Sequence, residues 1–107
     1  MTDKQALSAL IEAVEGGASA AVIDFYTPLD WADGSGDLGL VARSAFNGSL
    51  DAAKALHEAL LPGWSFCISM GATVEKIGDP DAIFGGWSEN HARAWLIAIL
   101  KAYEAQQ

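Results

Sequence analysis

The sequence predicts an α+β fold, a small antiparallel sheet packed with helices. Three observations carry that reading. The stretch WSFCISM (64–70) alternates bulky apolar residues with small ones, which is the period of a strand. Two further short apolar runs, around 73–77 and 82–87, follow it between turn residues, as in a meander. Helical spacing flanks the meander: Leu7, Leu10, Ile11 and Val14 precede it, and Trp95, Leu96, Ile99 and Tyr103 follow it.

In chain order, the first helix is expected over 3–15, with Thr2 as N-cap, Asp3 at the positive end of the dipole and Gly16-Gly17 as the stop. AAVIDFY (20–26) reads either as a further strand or as irregular chain crossing the core. TPLDWADGSGD (27–37) reads as an Asp/Gly-rich loop, and LGLVARSAF (38–46) as a short helix despite Gly39. Ser49 caps the next helix, with Asp51 in its first turn. Ala53, Leu56 and Leu60 fall on one face of it, and Lys54, His57 and Glu58 are placed on the outer side. Pro62-Gly63 ends it.

In the strand 64–70, Trp64, Phe66, Ile68 and Met70 form a large apolar face meant for the interior. Ser65, Cys67 and Ser69 form a small face that suits either a closely packed helix or water. After the turn at 79–81, Gly85-Gly86 marks a bulge or a close backbone approach. The sheet then has three to four strands, centred on a meander at 64–87. The last helix is expected over about 89–105, with Ser88 as its cap. It is apolar nearly all round between 94 and 100, as a central helix is.

The chain has 107 residues, of which 51% are hydrophobic, enough for one domain (1–107) with a packed core. Its net charge of −8 comes with only six Lys and Arg residues, scattered along the chain. That balance argues against direct binding of nucleic acid or of an anionic membrane, and suits a basic protein partner. Cys67 is the only cysteine, so no intrachain disulfide forms. The charged N-terminus does not read as a signal peptide, and no apolar run approaches the ~18 residues of a membrane span. A cytoplasmic location in the host cell is the resulting expectation.

Several constellations have a functional reading and a plainer one. GSGDLG (34–39) matches G-x-G-x-x-G, but a dinucleotide site needs a strand directly before it, and Asp37 repels a pyrophosphate. Asp30, Asp33 and Asp37 share a loop, yet EF-hand spacing fails, because Leu38 and Ser44 stand where Gly and Glu are required. Trp31 in that loop is either an exposed anchor for a partner or a lid folded back on the core, and Trp87 carries the same ambiguity. His57 and His91 are read as surface residues, Cys67 as a buried inert thiol and Ser88 as a cap. No catalytic set, metal site or cofactor is expected. The candidate binding residues are Asp30, Trp31, Asp33, Asp37 and Trp87.

The blocks NGSLDAAKALHEALLPGWSF and HARAWLIAILKAYEAQ resemble a family of small phage and prophage proteins, the phage α-β-α sandwich domain. The resemblance rests on the order of Ser49, Leu50, Asp51, Ala52, Ala53, Pro62, Gly63, Trp64, Ala94 and Trp95, and covers about 46–106. It implies an α-β-α sandwich-like core behind an N-terminal helix and acidic loop (1–45), a phage or prophage origin, and an Ala-rich helix packed closely on the sheet. It brings no catalytic or binding residues. The function expected from resemblance and charge is that of a non-enzymatic accessory protein binding a host or phage protein. One form is an anti-defence inhibitor whose acidic surface competes for a basic groove. The alternatives are a small-ligand binding or sequestering protein, with a pocket near Trp31 or Trp87, and a virion assembly protein. Exposed edges at 64–70 or 82–87 also allow a homodimer.

Overall fold

The computed structural model describes residues 3–17, 19, 21–25, 29, 37–69, 71–79 and 81–106. The elements within them are helix α1 (Asp3–Glu15), helix α2 (Asp37–Phe46), helix α3 (Leu50–Leu60), strands β1 (Ser65–Ile68), β2 (Ala72–Glu75) and β3 (Ile83–Gly86), and helix α4 (His91–Ala105). The strands form one antiparallel sheet in the order β1-β2-β3. This is the α+β architecture that the periodicities predict.

The helices form for the reasons visible in their sequences. On α1, Leu7, Leu10, Ile11 and Val14 are all buried on one face. Ser49 Oγ accepts from the Ala52 N–H at 3.1 Å and caps α3. Beyond Pro62, Gly63 takes φ +83°, where a side chain would be strained. The cap of α4 differs from expectation. Asn90 is the N-cap, its Oδ1 accepting from the Ala92 and Arg93 N–H groups at 2.9 and 3.2 Å. Ser88 stands before it and accepts from the Asn90 N–H at 3.2 Å. An amide reaches two orphan donors here, so the helix begins two residues later than Ser88 would place it.

Helix α4 is the centre of the packing. Ala94 through Leu100 are all buried, and α1, α2, α3, β2 and β3 all contact the helix. Burial of Leu96, Ile97, Ile99 and Leu100 alone contributes about 1.5–3 kcal/mol per side chain. Polar links tie α1 to α4: Lys101 Nζ meets Glu15 Oε2 at 2.9 Å, and the Ser8 hydroxyl donates to the Glu104 carboxylate. Arg93 joins α4 to α2. Its Nε donates to the Phe46 carbonyl at 3.1 Å, and its Cζ lies 3.9 Å from the centroid of the Phe46 ring. A cation thus serves the carbonyl end of α2 and stacks on an aromatic face at once.

Packing decides one open alternative and corrects two expectations. Residues 21–25 carry no strand, although Ile23 and Phe25 are buried. The Phe25 ring lies 5.6 Å from that of Phe46, so side-chain packing on a helix holds this segment rather than a ladder, and the sheet stays at three strands. The Ala-rich helix α3 packs chiefly on α2 and α4 and meets the sheet through His57 against Phe66, because its small face meets two helices. The bulky face of β1 stands at the rim of the core. Trp64 and Ile68 are half-buried and Phe66 is 46% exposed, since β1 is an edge strand with a neighbour on one side only.

The core face of the sheet runs in rows Phe66–Val74–Phe84 and Ile68–Ala72–Gly86, and the opposite face in rows Ser65–Glu75–Ile83 and Cys67–Thr73–Gly85. The helices cover the first face. On the second, Ser65, Cys67, Glu75, Ile83 and Gly85 are exposed. Cys67 is therefore an exposed thiol and not the buried one expected: of the two settings its small face allowed, the structure realises water.

The glycine pair resolves as a close approach. A Cβ on Gly86 would lie 2.3 Å from the Ala94 carbonyl oxygen and 2.8 Å from both the Ala98 nitrogen and the Ile97 Cβ. Gly85 points to the open face, where a Cβ would meet nothing nearer than 3.7 Å. Gly86→Ala is expected to destabilise the fold by about 1–3 kcal/mol, because the obstructing atoms are mostly helix backbone. Gly85→Ala should stay within about 0.5 kcal/mol of wild type. Urea unfolding followed by circular dichroism compares the two.

Candidate functional site

Trp87 follows β3 directly and continues the alternation Ile83, Gly85, Trp87 on the open face. It is 69% exposed, and Ile83 is 49% exposed. Its backbone position is set by Gly86, which lies on the α4 backbone. The indole presents a large apolar surface to solvent beside this contact.

Two clefts share this indole. One, of about 340 Å³, lies toward the start of α4 and is bounded by Val14, Glu89, Asn90, Arg93 and Ile97. The other, of about 530 Å³, lies at the sheet end, with Ser69, Thr73 and Gly85 on one side and the Glu15–Lys101 pair on the other. Both basic groups at these clefts are engaged, Lys101 with Glu15 and Arg93 with Phe46. Glu89 is exposed beside Trp87, and Glu75 is exposed on the same sheet face. The local field follows the overall charge of −8 and favours cationic groups on whatever docks.

Trp87 is thus placed in an accessible site. Asp30, Trp31 and Asp33 lie outside the described residues, so the loop they share does too. Asp37 is the first residue of α2, one residue earlier than the expected helix start, and its side chain lies outside the description. Leu38 and Gly39, the end of GSGDLG, are buried in that helix rather than in a loop. No strand is described at 21–25, which removes the nearest candidate for the strand that a dinucleotide site requires. Among the described residues no group of three His, Cys, Asp or Glu side chains could hold a metal ion, and no helix is long and apolar enough to cross a membrane. Glu15, Lys101 and the Gly85-Gly86 pair, which line the larger cleft with Trp87, are not among the residues the sequence marks as binding candidates. They come from distant parts of the chain, and no local motif marks them.

His57 is the clearest correction. It is only 3% exposed, not a surface residue. Its place follows from helical geometry, since it stands four residues after Ala53 and three before Leu60, inside the apolar stripe. Trp95 Nε1, which can only donate, bonds to His57 Nδ1 at 3.3 Å. The Nδ1 atom is therefore the acceptor, and Nε2–H donates to the Trp64 carbonyl at 2.9 Å. The ring also packs edge-on to Phe66 at 5.2 Å, and Phe66 lies 4.4 Å from Trp95. His57 thus joins α3, the start of β1 and α4. Both of its ring nitrogens are engaged in hydrogen bonds. His91, by contrast, is exposed as expected.

His57→Ala should destabilise the fold by about 2–4 kcal/mol, because it leaves the Trp95 indole N–H without its buried acceptor and opens a cavity. Trp87→Ala should change stability by less than about 1 kcal/mol. Thermal unfolding of the two variants side by side checks the contrast between a structural and an accessible aromatic contact. Comparison with known proteins finds no matching family model, no matching curated protein and no matching solved structure.

Proposed function

We propose that this chain is a non-enzymatic phage or prophage accessory protein that acts by binding another protein through the surface around Trp87. The observation that carries the reading is a tryptophan 69% exposed between two clefts, directly after a glycine packed closely on α4. Exposed aromatics are among the residues that dominate protein interfaces. Ile83 extends the apolar surface along the same strand.

The charge pattern selects the partner. Glu89 stands two residues from Trp87, Glu75 is exposed opposite Ile83 farther along the same sheet face, and the chain as a whole carries −8. A partner with an apolar projection ringed by Lys and Arg fits both features. A nucleic-acid-binding protein has such a surface, and an acidic competitor for its groove would inhibit it, which is the anti-defence form of this reading. The phage or prophage origin draws its support from the run of residues from Ser49 to Trp64 and from Ala94-Trp95. A small-ligand role is the second reading, favoured by the 530 Å³ cleft, whose size is that of a ligand pocket.

Affinity capture with the wild-type chain and with Trp87→Ala, followed by mass spectrometry, tests the proposal. The expected result is a basic protein held by the wild type, released as salt rises and absent from the variant. A complex that survives Trp87→Ala unchanged overturns it. A rise in Tm on adding a nucleotide or cofactor, lost in Trp87→Ala, moves the assignment to the small-ligand reading.

A further inference from the structure

The edge of the sheet away from Trp87 carries a separate feature. In an antiparallel ladder, successive residues direct their main-chain groups alternately to one side and the other. The Ser69 N–H donates to the Gly71 carbonyl at 2.9 Å, and the register continues through Cys67 opposite Thr73 and Ser65 opposite Glu75. Residues 65, 67 and 69 thus face β2, and Trp64, Phe66 and Ile68 face outward. Trp64 is already satisfied: its N–H donates to the Leu61 carbonyl at 3.1 Å, and its carbonyl accepts from His57 Nε2. The N–H and C=O groups of Phe66 and Ile68 have no such partner among the described residues.

Free edges are normally guarded by lysine, proline or a bulge. This one has none of them. From Trp64 to Met70 the sequence holds no charge and no proline, and the β1–β2 register is unbroken. The other edge, β3, ends in Gly85-Gly86, which pair weakly. In a chain of net charge −8, an uncharged edge is where two copies meet without like-charge repulsion. The strand also complements itself, because antiparallel pairing about a two-fold axis sets bulky residues against bulky on the core face and small against small on the open face.

We propose that β1 is the pairing edge of a homodimer, with Cys67 of one copy opposite Cys67 of the other. The register follows from the outward groups. Centring the axis on Phe66 would set Ile68 opposite the second copy's Trp64, whose main-chain groups are taken. Centring it on Cys67 pairs Phe66 with the second copy's Ile68 twice over and uses all the outward groups. It also covers Phe66, which is 46% exposed in the single chain. The two Cys67 residues then form a non-hydrogen-bonded pair with Cα atoms about 4.5 Å apart, within the span of a disulfide. This inference is argued from the main-chain groups of β1 and not from the reading of Trp87, which follows β3 and shares a cleft with Ser69 at the end of the sheet.

Sedimentation of the full chain under reducing conditions is the first test, with a concentration-dependent dimer expected. Cys67→Ser should dimerise like wild type. Cys67→Lys places two cations face to face on the exposed side of the strand and should weaken the dimer about fivefold or more while the fold stays intact. Diamide, which takes two electrons and two protons from a pair of thiols, should convert the wild-type dimer rapidly to a disulfide-linked form. In the Cys67→Ser background, Ser65→Cys alone should not cross-link, but mixed with Ser69→Cys it should. A chain that remains monomeric at the highest attainable concentration, or a dimer indifferent to Cys67→Lys, overturns the proposal. So does a dimer whose Cys67 thiols resist diamide.

Discussion

No side chain fits between β3 and α4 at position 86, and the rest of the structure is arranged around that contact. Glycine there lets the strand lie on the helix backbone, against Ala94, Ile97 and Ala98. Helix α4 can then stay buried along its middle, because sheet and helices close on it from all sides. Close packing of this kind leaves little room for adjustment. It holds the end of β3 in place, and Trp87 with it.

The sheet is covered on one side only, and its exposed features follow from that. Ile83, Gly85 and Trp87 present a surface at one edge, and Cys67 lies open nearer the other. A three-stranded sheet has two edge strands and one interior strand. Only β2 is buried on its core face at both inward positions, Ala72 and Val74. The edges are where apolar side chains and main-chain groups remain available for partners.

His57 performs a different task. By accepting from Trp95 and donating to the Trp64 carbonyl, it fastens the turn after α3 to the central helix. This explains why a helix with a histidine in its last turns is followed at once by Pro-Gly-Trp. The backbone of Trp64 takes this bond, while its half-buried ring packs at the edge of the core, 6.2 Å from that of Phe84.

What the sequence by itself determined was set by local physics. Period-2 spacing located β1, short apolar runs between turns located β2 and β3, period-3.6 spacing located α1 and α4, Ser49 started α3, and Gly85-Gly86 marked either a bulge or a close approach. Each depends on neighbours a few residues apart. Trp87 could also be picked out as a candidate, since an aromatic beside a glycine pair is unusual wherever it points. Tertiary structure alone decided the rest. It settled that segment 21–25 is irregular, that the small face of β1 meets water, that His57 is an internal link, and that Glu15 and Lys101 stand at the same cleft as Trp87. Those outcomes turn on which surfaces pack against which. The free energy of such packing comes from residues far apart in the chain, so local spacing cannot specify it.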